Sequence, residues 1–190
     1  MKKTFAAAIC LCLALLSAAP VLAGVMAGVT MEDSISIGDA TATLVGMGIR
    51  NKLVVKVYAA GLYLAEPTLS EDAIIGSDQA KAVRMHFLYK KVDAQKLQDA
   101  WRTGFEKNTP EASEDLKERM DTFVSLFTED ALKGDEYLFA YYPGRGTRVI
   151  LKGREVKTIE GADFASALMA IWFGDHPADK GLKKSVLKGI

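Results

Sequence analysis

The sequence predicts an α+β domain. Three observations carry this expectation. Apolar residues recur with period two through 29–65 and again through 81–90. Two segments between 93 and 127 instead repeat with the helical period of 3.6. Strands and helices also arrive in runs rather than alternating one by one, which argues against a doubly wound parallel sheet.

Residues 1–23 read as a secretory signal. Lys2 and Lys3 give the positive start, Phe5 to Leu16 the apolar stretch, and Pro20 breaks it before the small-residue site Val21-Leu22-Ala23. The apolar run is shorter than the ~20 residues a membrane span requires. Cleavage after Ala23 and export, to the periplasm or as a secreted protein, are expected, with 24–190 forming a single domain. Cys10 and Cys12 sit inside the apolar stretch, too early for a lipidated cysteine, and leave with it. The mature chain then has 167 residues and no cysteine, so disulfides, thiolate nucleophiles and cysteine metal ligands are excluded. A chain of this length buries a sizeable core. Losing Lys2 and Lys3 leaves 22 basic against 24 acidic residues. No basic patch stands out, so nucleic acid is not an expected partner. No second long apolar run follows, so no stable membrane insertion is expected after cleavage.

Residues 29–37 and 40–45 read as short strands around Gly38-Asp39, and 53–65 as a long one. On that strand Tyr58, Ala60, Leu62 and Leu64 share one face, and Ala59, Gly61 and Tyr63 the other. Apolar residues dominate both, which predicts a central strand covered on two sides. Residues 81–90 read as a further strand, with Val83, Met85 and Phe87 on one face. Asp93 is a candidate N-cap for a helix to about Asn108 with Leu97, Trp101 and Phe105 on its apolar stripe. Pro110 is expected to start a second helix carrying Leu116, Met120, Phe123 and Phe127. Residues 136–142 and 147–153 flank Pro143-Gly144-Arg145-Gly146 and read as a hairpin, with a short strand at 154–159. A helix is expected from Gly161 or Asp163 to Phe173, stopped by Gly174. Pro177 suits the first turn of a last helix to about Leu187.

Candidate chemistry is sparse. His86 lies in a strand. His176 sits in GDHPAD (174–179), where a helix boundary calls for small, polar and proline residues, so capping outweighs a metal cluster of Asp175, His176 and Asp179. The Gly-Arg-Gly at 144–146 precedes a strand rather than a helix, so it is a turn and not a phosphate loop. No zinc-protease, nucleophile-elbow or P-loop pattern occurs. No metal site, cofactor or catalytic set is expected.

The stretch GMGIRNKLVVKVYAAGLYL, residues 46–64, raises a sharper question. Gly46 and Gly48 read as a sharp turn that keeps backbone close to a ligand. Arg50 ends that turn, and Tyr58 lies part-way along the apolar strand. Two readings stand. In one, Arg50 is simply solvated and Tyr58 rests its hydroxyl on a backbone group. In the other, the two form an anion clamp, the guanidinium fork matching a carboxylate and the phenol adding a neutral donor.

GMGIR followed by KVYAAGLYL resembles the chalcone isomerase superfamily. So does the close of the chain, GTRVILKG, then ADFASALMAIWFG, then LKKSVLKGI. The resemblance covers about Val29 to Ile190 and is nearest to the bacterial secreted chalcone isomerase-like branch. It implies an open-faced β-sandwich, with a large antiparallel sheet packed against a helical layer and a ligand cleft between them. It also implies that Arg50 matches the cleft arginine of the plant enzymes. Where those enzymes carry a catalytic threonine, this chain has Tyr58. Their further tyrosine and asparagine correspond to positions near Lys96 and Thr103. The non-catalytic, fatty-acid-binding branch is similar in keeping an arginine and a tyrosine. The resemblance therefore implies ligand-binding roles for Arg50 and Tyr58 toward a fatty acid or similar apolar carboxylate, without catalysis. The alternatives are an isomerase (intramolecular lyase) acting on a chalcone-like enone, and a structural or partner-binding protein with a vestigial cleft.

Overall fold

A computed structural model of the chain describes residues 22–190. Residues 1–21 of the expected signal lie outside the described residues. The chain runs β1 (Leu22–Met26), β2 (Val29–Glu32), β3 (Ser34–Ile37), β4 (Ala40–Lys52), β5 (Val55–Leu64), α1 (Glu71–Gly76), β6 (Lys81–Phe87) and β7 (Lys91–Val92). It continues with α2 (Ala94–Asn108), α3 (Glu114–Ser125), β8 (Ala131–Leu132), β9 (Glu136–Tyr142), β10 (Gly146–Leu151), β11 (Arg154–Ile159), α4 (Ala162–Phe173) and α5 (Lys180–Val186). Seven strands form one antiparallel sheet in the order β11-β10-β9-β6-β5-β4-β3, so the expected α+β class holds. The expected cleavage point after Ala23 falls inside β1, and the pairs from Gly24↔Met31 onward lie beyond it.

The strand β5 is central and covered on both faces, as its doubly apolar pattern predicts. Tyr58, Ala60, Leu62 and Leu64 join the helical side, with Trp101, Phe105, Phe123, Phe139 and Trp172. Edge-to-face ring pairs fill that layer, including Trp101 with Phe123 at 5.2 Å and Phe87 with Tyr137 at 4.9 Å between centroids. Ala59 and Tyr63 face the opposite side, where Met31 of β2 packs with Leu44, Met47 and Ala82. Gly61 belongs to this second face; a methyl group there would strike the Met31 sulfur and Leu44.

Several boundaries differ from the sequence reading. Ser113, not Pro110, starts α3: its hydroxyl accepts the Leu116 amide at 3.2 Å, with Glu114 and Asp115 in the first turn beside the positive helix end. Asp179 starts α5 in the same way, accepting from Leu182 N at 2.9 Å, so Pro177 stays in the loop. Asp93 holds the N-cap position of α2 without capping it; its carboxylate pairs with Lys91 and Lys96, and Asp130 takes the Ala94 amide at 2.9 Å. The six-residue α1 has too little periodicity to be read from sequence.

Lys81 is 1 % exposed. Its Nζ donates to the carbonyls of Ile74, Ile75 and Ser77 at 3.1, 2.8 and 2.9 Å, closing the C-terminal end of α1 with a cation. Burial pulls its ammonium down to about 8, partly offset by nearby Asp78.

Candidate functional site

Gly46 and Gly48 do not turn the chain. They lie within β4, in ordinary extended backbone, and the strand runs through them to Lys52. The physical reason for glycine is close packing. A methyl at Gly46 would overlap the Val186 carbonyl, and one at Gly48 would come within 2.6 Å of the Leu182 carbonyl. Helix α5 thus rests directly on the β4 backbone at the two positions preceding Arg50 on the same face. Glycine serves both turns and close approaches, and the local pattern alone does not separate them.

Arg50 and Tyr58 are direct partners across β4 and β5, on the helical face. The pairing shifts by one residue between Arg50 and Asn51, just beyond the pair, and at Val45, which restores the face for Gly46, Gly48 and Arg50. The Arg50 guanidinium carbon stands 5.8 Å from the Tyr58 ring centroid, a cation–π distance. Tyr58 is 5 % exposed, and its hydroxyl accepts the Trp172 indole N–H at 3.0 Å rather than meeting a backbone group. Burial pushes the phenol up from its usual range, with the Arg50 charge acting against it, so it remains a neutral donor. Its own proton has no acceptor among the described residues.

Arg50 opens on a cleft of about 670 Å³. The cleft lies at one end of the sheet, between the β4–β5 hairpin, β7, α2 and the 176–178 loop. It is not a tunnel between sheet and helices, because aromatic rings occupy that space. Val55, Val57, Val92, Ala100 and Pro177 give it apolar walls. Lys52, Lys91, Lys96 and Lys107 ring it with Arg50, against Asp99 alone among carboxylates. Lys91 and Lys96 are engaged by Asp93, whose carboxyl they hold down to about 2, Lys96 foremost. Asp99 is taken up by Arg102. Arg50, Lys52 and Lys107 have no ion pair among the described residues. The Arg50 Nε is buried and has no acceptor. A buried charged donor without a partner is costly in a folded chain.

The remaining sequence candidates fall as follows. Lys96 and Thr103 both line the cleft from α2. His176 lines it too, and its backbone N–H donates to Asn108 Oδ1 at 3.1 Å, bracing the loop after α4 against the end of α2. His86 is away from it, paired with Glu136 across the sheet at 3.0 Å. The sequence reading missed Lys52 and Lys107 as cleft cations; nothing in the local pattern distinguishes them from solvated lysines.

An antiparallel seven-stranded sheet backed by a helical layer is the arrangement of a chalcone isomerase-type domain. The chain belongs to the chalcone isomerase-like family, whose sequence model matches residues 23–188. Among solved structures, a fatty-acid binding protein of Arabidopsis thaliana shares the fold, with a TM-score of 0.66 and 21% identity over 84% of this chain and 92% of that one. Comparison with curated protein sequences gives no match.

Proposed function

We propose that the protein holds a fatty acid or similar apolar carboxylate in this cleft and performs no reaction on it. The observation that carries the reading is Arg50: it faces the cleft and, among the described residues, has no ion-pair partner and keeps a buried Nε without an acceptor. A carboxylate fits the planar guanidinium fork and supplies the missing acceptor. Tyr58 stacks behind the guanidinium from the core; it does not itself line the cleft, and its hydroxyl is turned to Trp172, so the structure gives it a supporting place rather than the direct ligand contact expected from the sequence. The apolar wall takes the start of the acyl chain, and the free Lys52 and Lys107 favour an anion. The cleft volume lies in the ~300–1,000 Å³ range of small-molecule sites. The shared fold of the Arabidopsis fatty-acid binding protein supports the same reading. Adding a phenolate to an enone needs ordered donors around a carbonyl. Here the Tyr58 hydroxyl is buried against Trp172 and Lys96 is tied to Asp93, which supports binding without chemistry.

Native mass spectrometry of protein from a periplasmic fraction, followed by organic extraction, tests this. An acyl carboxylate bound to the wild type and absent from Arg50→Gln is the expected result. A folded Arg50→Gln variant with unchanged fatty-acid affinity refutes the site. Export is tested on the same material: a mature N-terminus at Gly24 supports it, and a cytoplasmic chain retaining residues 1–23 refutes it.

A further inference from the structure

The β4–β5 hairpin continues past the sheet. β6 pairs with β5 only from Tyr58 onward, and β3 pairs with β4 only over 40–43, so Asn51 to Lys56 form a two-stranded arm. The arm is tied down near its base, where the Asn51 amide donates to Asp179 at 2.7 Å. At its tip are Leu53 and Val54, 95% and 96% exposed, the most exposed large apolar residues described. Leu53 also has φ +57°, a left-handed conformation that glycine adopts freely and a leucine does not. A two-residue turn favours Gly, Asn or Asp. The chain instead places two apolar side chains at the tip almost wholly in solvent, Leu53 at the edge of the cleft mouth.

The arm's own sequence carries charge of one sign, with Asp179 the carboxylate bonded at its base. Between residues 46 and 58 the basic residues are Arg50, Lys52 and Lys56, with no acid among them. Lys90 follows Tyr89, which is itself exposed and lines the same cleft as Leu53. Lys52, Lys56 and Lys90 have no ion pair among the described residues. Apolar side chains at the tip of a basic arm match the chemistry of an anionic lipid surface, with acyl chains beneath a negative headgroup plane.

We propose that this arm docks the protein on anionic lipid bilayers, Leu53 and Val54 entering the headgroup boundary and the lysines meeting the lipid charge. The cleft mouth, which includes Leu53 and Lys52, then lies at the headgroup plane. An amphiphilic carboxylate passes between bilayer and cleft without exposing its chain to water. The docking stands on the arm alone; the transfer step rests on the binding reading above.

Co-sedimentation with vesicles of phosphatidylcholine and phosphatidylglycerol tests the docking, with phosphatidylcholine vesicles as the comparison. The wild-type protein is expected to pellet with the anionic vesicles at low salt and to be released by high salt. The double variant Val54→Asp/Lys56→Glu removes three units of positive charge from the arm and is expected to weaken vesicle binding by about one hundred-fold. Neither residue lines the cleft, so fluorescent fatty-acid titration in free solution is expected to be unchanged. Wild-type protein that stays in the supernatant, or a variant that pellets equally, overturns the docking. A concentration-dependent dimer abolished by the variant overturns it too, assigning the tip to a second copy. Vesicle binding without fatty-acid binding in solution upholds the docking and refutes carriage. Fatty-acid binding without vesicle binding does the reverse.

Discussion

The indole of Trp172 on α4 donates to the hydroxyl of Tyr58 on β5 across 3.0 Å, inside the core and directly behind Arg50. This bond fixes the tyrosine that backs the guanidinium. It joins the interior of the helical layer to the one cleft cation whose Nε is buried without an acceptor.

Tyr58→Phe removes the acceptor and leaves the Trp172 N–H buried and unpaired. The expected cost is about 1–3 kcal/mol of unfolding free energy, read by urea denaturation. A variant as stable as the wild type would show that the indole finds another acceptor.

Arg50→Gln is expected to leave stability within about 0.5 kcal/mol of wild type or raise it, because a costly buried donor is removed. Fatty-acid affinity is expected to fall by about 1.5–3 kcal/mol, the worth of hydrogen bonds to a charged group. Titration and denaturation on the same sample separate the two effects.

Gly48→Ala is expected to destabilise by about 1–3 kcal/mol, as overpacking does, because the new methyl meets helix backbone rather than a yielding side chain. Amide exchange is expected to show faster opening of α5 in particular. Gly76→Ala, with open space around it, serves as the control.

Lys81 makes stability depend on pH. Its folded-state value of about 8 lies below the ordinary 10.5. Between these values the unfolded chain holds a proton that the folded chain has released, so this group's contribution rises with pH across that window. Below about pH 8 its full cost is present. Lys81→Met is expected to flatten the rise in denaturation midpoint from pH 8 to 10. At pH 7 it is also expected to lower stability, because two α1 carbonyls and that of its C-cap Ser77 lose their donor.

The parts of this fold legible in the sequence are those written in periodicity. The two faces of β5 could be read because every second residue is apolar on each, and Ala59 and Tyr63 do lie opposite Tyr58 and Leu62. The 136–159 hairpins and the stripes of α2 and α3 follow for the same reason. The cross-strand pairing of Arg50 with Tyr58 depended on register, which two bulges in β4–β5 adjust and no local pattern announces. The role of Gly46 and Gly48 depended on α5, more than 130 residues away. The position of the cleft depended on which space the rings left empty. Lys81 was unreadable because a lysine at a strand start is ordinarily solvated, and only the end of α1 makes its burial tolerable.

The bond from Asn51 to Asp179 spans 128 positions of sequence. Such a closure is slow, because a long loop must be gathered before any contact compensates its entropy. Strands β4 and β5 can pair early through their tight turn, but the floor on which Arg50 rests is set only when α5 returns to lie on Gly46 and Gly48. The binding end is thus the part of the molecule where early and late segments of the chain meet, and loosening α5 would free the base of the arm while leaving the local β4–β5 pairing intact.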